Sequence, residues 1–297
     1  MMNKIMFSYS SPLYGRNTAH LRLQPFSPSL LKEIFAAHCP RYRLTDLLDL
    51  WTMTGGVARY VALLMDAGAV TRSKMLKVIF SEASPFLDEG RAVLVLEVGN
   101  DYANYFSILD SIASGHTRYN EIEQDLGTNL GSFLTNLENN YGLVKRTLPV
   151  YAARTGKNAA YHIEDCFFRF WFRYLFRNQV LVELGRFEYL RELVARDFDT
   201  FTGPALEQYF RCKFREERDY IVMGAWWDRK GENEIDLVCE SPAEKKRVSS
   251  LTFFEVKRDA ARVDLDVLRA KTVVFFEKHP ELKNGEPLIV GLSLADM

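Results

Sequence analysis

Glu234-Ile235-Asp236-Leu237-Val238 and, further on, Phe254-Glu255-Val256-Lys257 are the two stretches whose reading decides the fold of this chain. Alternate residues of a strand share a face. Read as strands, the first run turns Ile235, Leu237 and Cys239 into a core and Asp236 the other way. The second puts Glu255 and Lys257 on one face and Phe254 and Val256 on the other. If the two strands are neighbours, Asp236, Glu255 and Lys257 converge at one place. Two carboxylates and a lysine suit phosphodiester cleavage. Magnesium prefers one or two carboxylates, with water and phosphate oxygens completing its shell. It lowers the pKa of a bound water, and a lysine beside it stabilises developing charge. Magnesium is therefore the expected cofactor, with Asp236 and Glu255 as its ligands. Glu207, on a helix opening at Gly203-Pro204, can add a third carboxylate from above the sheet.

The elements around these strands read as a small α/β domain. Helices run from about Glu164 to Arg215, including the aromatic run Cys166–Tyr174, which Arg169 and Arg173 mark as an amphipathic buried helix. Strand-like segments follow at Tyr220–Trp227, Glu234–Cys239 and Leu251–Lys257, then a helix over Leu265–Lys278 and a strand over Pro287–Leu292.

Upstream the pattern is that of a winged helix-turn-helix. Phe106, Leu109, Ile112 and Ala113 line one helix, Tyr119–Leu126 forms a second, and a third begins near Thr128-Asn129. Two short strands, Leu143–Thr147 and Ala160–Ile163, flank a loop. The third helix turns Asn129, Ser132, Thr135, Asn136 and Asn139 outward, short polar groups suited to base edges and phosphates. The hairpin holds Lys145, Arg146, Arg154 and Lys157 without an acidic residue, a phosphate-contacting wing. Glu121, Glu123, Asp125 and Glu138 dilute that field, so DNA contact and protein–protein docking both remain open.

Before residue 100 the periodicity is helical, with helices starting at Pro28, at Leu44 (stopped by Gly55-Gly56), at Val57 and at Arg72. The whole is a multidomain α+β chain: a helical segment over 1–100, a winged helix over 101–165 and an α/β domain over 166–297. Its 297 residues exceed one small core, and 47% hydrophobic with 26% charged residues is ordinary for a globular protein. A net charge of −1 confines any nucleic-acid surface to a local patch. The four cysteines are scattered, with neither zinc-ligand nor disulfide spacing, and are expected as buried thiols in a reducing cytoplasm. No apolar run approaches a membrane span or a secretory signal.

The Asp236 and Glu255-x-Lys257 pattern, with Glu207 on the preceding helix, resembles the restriction-endonuclease-like family with the PD-(D/E)xK signature. That resemblance implies a metal-dependent nuclease or, because the fold also serves in inert forms, a binding module. A wider resemblance covers essentially the whole chain. Ser11-Pro12-Leu13-Tyr14-Gly15-Arg16 and Thr54-Gly55-Gly56-Val57-Ala58-Arg59-Tyr60 look like elements of archaeal and bacterial AAA+ type ATPases, with Ala58 where proline is usual. The run from Tyr161 to Phe172 resembles the opening of their C-terminal domain of unknown function, and Gly224–Arg229 with Glu234–Asp236 its remainder. Those ATPases begin with a P-loop, and the only Gly-Lys here, Gly156-Lys157, sits in the wing loop without the rest of that pattern. The resemblance therefore implies a truncated or split member with no complete ATP site, not an ATPase on its own. It implies DNA, and a separate P-loop chain or other protein, as partners.

Overall fold

Local sequence signals set the first helices. Ser27 accepts the Leu30 N–H and Pro28 opens α1 (Pro28–His38). Gly55, left-handed at φ 59, closes α2 (Leu44–Thr54). Beyond it come α3 (Ala58–Asp66), α4 (Arg72–Ile79) and α5 (Phe86–Val98). The structure, a computed structural model, describes residues 23–98, 102–153, 158–242, 250–283 and 285–297. The Ser11–Arg16 stretch lies outside them, as do Arg154 and Lys157.

The middle of the chain holds α6 (Tyr102–Ala113), α7 (Tyr119–Leu126) and α8 (Gly131–Asn139), then a two-stranded antiparallel pair, β1 (Lys145–Thr147) and β2 (Ala160–His162). Glu121 accepts the N–H groups of Thr117 and Arg118 and so caps α7. α8 starts at Gly131 and not at Thr128, because Asn129 Oδ1 takes the Gly131 N–H in a side-chain turn, at 2.8 Å.

Four helices follow: α9 (Cys166–Tyr174), α10 (Gln179–Glu183), α11 (Phe187–Phe201) and α12 (Gly203–Glu217). The sheet is β3 (Val222–Trp227), β4 (Glu234–Ser241), β5 (Ser250–Val256) and β6 (Leu288–Leu292), in that spatial order. The first three strands are antiparallel; β6 joins β5 in parallel after a crossover through α13 (Leu265–Lys278). The mixed α+β class expected from the sequence is the class observed.

Both faces of the sheet are covered. Leu237, Cys239, Phe254 and Val256 join a large core with Phe210 and Phe214 of α12 and the aromatic residues of α9. Ile235, Val238, Leu251 and Phe253 pack on the other side against Leu268 and Phe275 of α13. This corrects the simple alternation expected of Ile235, Leu237 and Cys239. Gly224 pairs with Val238 and Trp226 with Ile235, so Asp236 and Leu237 together oppose the single residue Ala225. That bulge reverses the facing of every residue beyond it.

The helical segment packs into the large core through α9. Tyr60 lies 4.1 Å from Phe167, ring centre to ring centre, and Trp51 donates to the Ala205 carbonyl at 3.1 Å. Of the four free cysteines, Cys166 and Cys239 are buried, but Cys39 and Cys212 are only half-buried, short of the expectation for all four. Among the described residues no helix is long and apolar enough to cross a membrane.

A candidate carboxylate–lysine site

β4 and β5 bring three of the singled-out side chains together. The pair Leu237↔Phe254 sets the register and places Asp236 beside Glu255. The bulge at Asp236 turns its carboxylate toward the end of β5, where Oδ2 accepts the Val256 N–H at 2.8 Å. Lys257 Nζ stands 3.3 Å from Asp236 Oδ2 and 3.3 Å from Glu255 Oε1. Glu255 is only 6% exposed, and its other oxygen accepts the Asp264 N–H at 2.8 Å, just before α13. One carboxylate is thus anchored to the strand and the other to a helix start. The two carboxylates beside it draw the Lys257 ammonium's pKa upward against the opposing effect of burial.

Glu207 on α12 belongs to the same electrostatic neighbourhood. Burial is the largest effect on its carboxyl, which is pushed up to about 7; Arg211 opposes the shift, and Asp236 and Glu234 add to it. Glu234 is likewise raised, by burial first and then by Asp236. Arg211 reaches Glu207 at 3.6 Å. Among the described residues, no group of three or more His, Cys, Asp or Glu side chains is disposed to hold a metal ion. Asp236 and Glu255 are nonetheless hard oxygen donors meeting at one cation, and a magnesium shell built on two carboxylates and water needs no third protein ligand.

The expected DNA-contacting residues fare differently. Asn129, Ser132 and Thr135 are exposed on or before α8. Asn136 is half-buried and donates to the Tyr105 hydroxyl at 3.1 Å, which corrects its outward assignment. Lys145 is exposed but ion-paired with Glu164 at 2.6 Å, and Arg146 is half-buried. The described residues on either side of the hairpin loop bond to β3 and β4. Val150 donates to the Ala225 carbonyl at 3.0 Å, Trp227 donates to the Asn158 carbonyl at 3.2 Å, and Tyr151 donates to Glu240 at 2.8 Å. Gly224 permits this contact, since a Cβ there would lie 2.8 Å from Val150.

Sequence spacing pointed to none of the arginines near the carboxylates. Arg118, at the start of α7, bonds to Asn158 and approaches Gly231 in the β3–β4 turn. Arg169 of α9 and Arg211 of α12 flank His162, whose imidazole is pushed down to about 4 by burial first and then by these two guanidiniums. They lie far apart in sequence, and only the fold brings Arg118 to Glu234 and Arg169 and Arg211 to Glu207.

Residues 171–267 match a family described as archaeal and bacterial proteins of unknown function, DUF234. The matched span starts at Trp171 in α9, ends in α13, and contains Glu207, Asp236, Glu255 and Lys257. An uncharacterized protein of Methanocaldococcus jannaschii is 29% identical over 291 residues, a match covering 92% of this chain. The chain spans 62% of the length of that curated relative. No solved structure matches.

Proposed function

We propose that this chain is a DNA-processing module. In this reading residues 166–297 form a restriction-endonuclease-like domain that cleaves phosphodiesters with magnesium, and residues 101–165 form a winged helix that docks the nucleic acid. The observation that supports it most is the meeting of Asp236 and Glu255 at one ammonium, 3.3 Å from each. The order of α12, three antiparallel strands and a parallel strand reached through α13 is in keeping with that fold.

Asp236 and Glu255 would hold the cation. A magnesium ion held there would supply an activated water and neutralise charge on the phosphate under attack. The Lys257 ammonium then turns from the carboxylates toward the attacking oxygen or the phosphate. Glu207, its carboxyl at about 7, takes full negative charge at neutral pH only when positive charge enters beside it.

The test is cleavage of supercoiled plasmid by the full chain with magnesium, beside Asp236→Ala and Lys257→Ala. The expected result is nicking that each substitution lowers by about 100-fold or more, the scale for losing one group that stabilises a transition state. Equal background cleavage by all three proteins removes the enzymatic reading. A second reading is a non-enzymatic DNA- or protein-binding module. It is favoured by the way Lys257 already compensates both carboxylates, as a structural ion triad does.

A further inference from the structure

The half-buried arginines of this chain divide into two kinds. Arg72 holds Asp49 at 2.7 Å, Arg258 holds Asp199 at 3.1 Å, Arg191 holds Glu188 at 3.4 Å, and Arg173 is ion-paired with Asp197. A guanidinium half out of water is costly without an anion, so such pairing is the rule. Arg118 and Arg169 depart from it. Among the described residues neither makes a close ion pair: Arg118 bonds to the neutral side-chain oxygen of Asn158, and Arg169 to the Cys166 sulfur at 3.8 Å. Their carboxylate neighbours, Glu234 for Arg118 and Glu207 and Asp165 for Arg169, act on them only at longer range. Both border the carboxylate cluster. Arg118 approaches the β3–β4 turn that leads into Glu234, and Arg169 acts on Glu207 together with Arg211, whose own contact with Glu207 is long at 3.6 Å.

These positions come from three different elements. The Arg118 backbone bridges to Ala160 of the hairpin, and the hairpin is fastened to β3, so the helix-turn-helix segment is held against the sheet. Guanidiniums with hydrogen-bond donors to spare, beside carboxylates suited to a cation, match the charge pattern of a phosphodiester strand. The strand's phosphates meet the arginines, and the phosphate that reacts meets the cation.

We infer that Arg118, Arg169 and Arg211 form a phosphate-binding track which continues the carboxylate–lysine site across the junction with the helix-turn-helix segment, so that both parts grip one nucleic-acid strand. The inference rests on the reading of that site as one for nucleic acid. It assigns strand binding to the junction, where Val150 and Asn158 of the hairpin segment bond to β3.

The test is fluorescence anisotropy of a labelled DNA duplex with the full chain, without divalent metal, over a range of salt concentrations. Wild type is compared with Arg118→Ala, Arg169→Ala, Arg118→Lys and, as a control, the exposed Arg41→Ala. Arg118→Ala and Arg169→Ala are each expected to raise Kd roughly tenfold and to reduce the salt slope by about one. Arg118→Lys keeps the slope, and Arg41→Ala binds as wild type. Thermal unfolding of each variant separates lost contact from lost fold, because a merely structural role moves Tm without moving the salt slope. Unchanged affinity and slope in both alanine variants overturn the inference, as does failure of wild type to bind at low salt. If binding depends on these arginines but no cleavage follows with magnesium, the track stands and the nuclease reading falls.

Discussion

At the scale of single residues, Glu207 is the most informative group. Its folded-state pKa of about 7 lies above the usual glutamate value of 4.5. The fold therefore binds this proton more tightly than the unfolded chain does. Its contribution to stability is greatest below the unfolded value, falls as pH rises from about 4.5 to about 7, and is flat above that. Glu207→Gln removes the titration. The variant should be more stable than wild type at pH 8 by roughly 1–3 kcal/mol, with the difference vanishing near pH 4. Urea unfolding at several pH values measures this, and parallel pH profiles for the two proteins contradict it. The residue-level reading of the sequence brought Asp236, Glu255 and Lys257 together because charged residues in strand runs leave a periodicity signal, and added Glu207 from the helix that opens at Gly203-Pro204. Arg118, Arg169 and Arg211 left no such signal, because separated charges on helices look like solvated faces in the sequence.

At the scale of elements, most boundaries were legible. Gly55 after α2, Gly127 after α7 and Asp264 before α13 are local stop and start signals, and the helices end or begin there. The bulge in β4 was not legible. Nothing local marks Asp236-Leu237 as two residues opposing one, since the extra residue exists only relative to β3. α5 was also unread, because Gly90 and the following valines weaken its helical pattern. The structure supplies the reason for that glycine. Trp171 of α9 lies against it, and a Cβ at Gly90 would stand 2.2 Å from the indole. The same indole donates to the Leu87 carbonyl at 3.1 Å. Gly90→Ala gains intrinsic helix propensity of about 1 kcal/mol yet should destabilise the chain by roughly 1–3 kcal/mol net, because the ring cannot retreat from a filled core. Chemical denaturation decides it; a variant as stable as wild type would show that α5 and α9 are not in contact.

At the scale of the molecule, one core joins the parts. It runs without a break from Leu31 of α1 through the α9 aromatics to Val256 and Leu292 of the sheet. A cavity lies apart from the carboxylate cluster, with none of Glu207, Asp236, Glu255 and Lys257 in its lining. Its volume is ≈ 900 Å³, and Arg43, Asp46, Asp49, Arg72 and Arg258 line it. Those charges are already satisfied, since Arg43 bonds to Asp46 and Arg72 to Asp49. The chemistry proposed for this chain therefore depends on the carboxylates and not on that cavity. Loading the full chain with manganese, and reading the loss of the free-ion electron paramagnetic resonance signal, tests that assignment most directly. The account requires one manganese per chain in wild type and none at the same concentrations in Asp236→Asn. No binding by wild type at millimolar manganese, or equal binding by the variant, contradicts it.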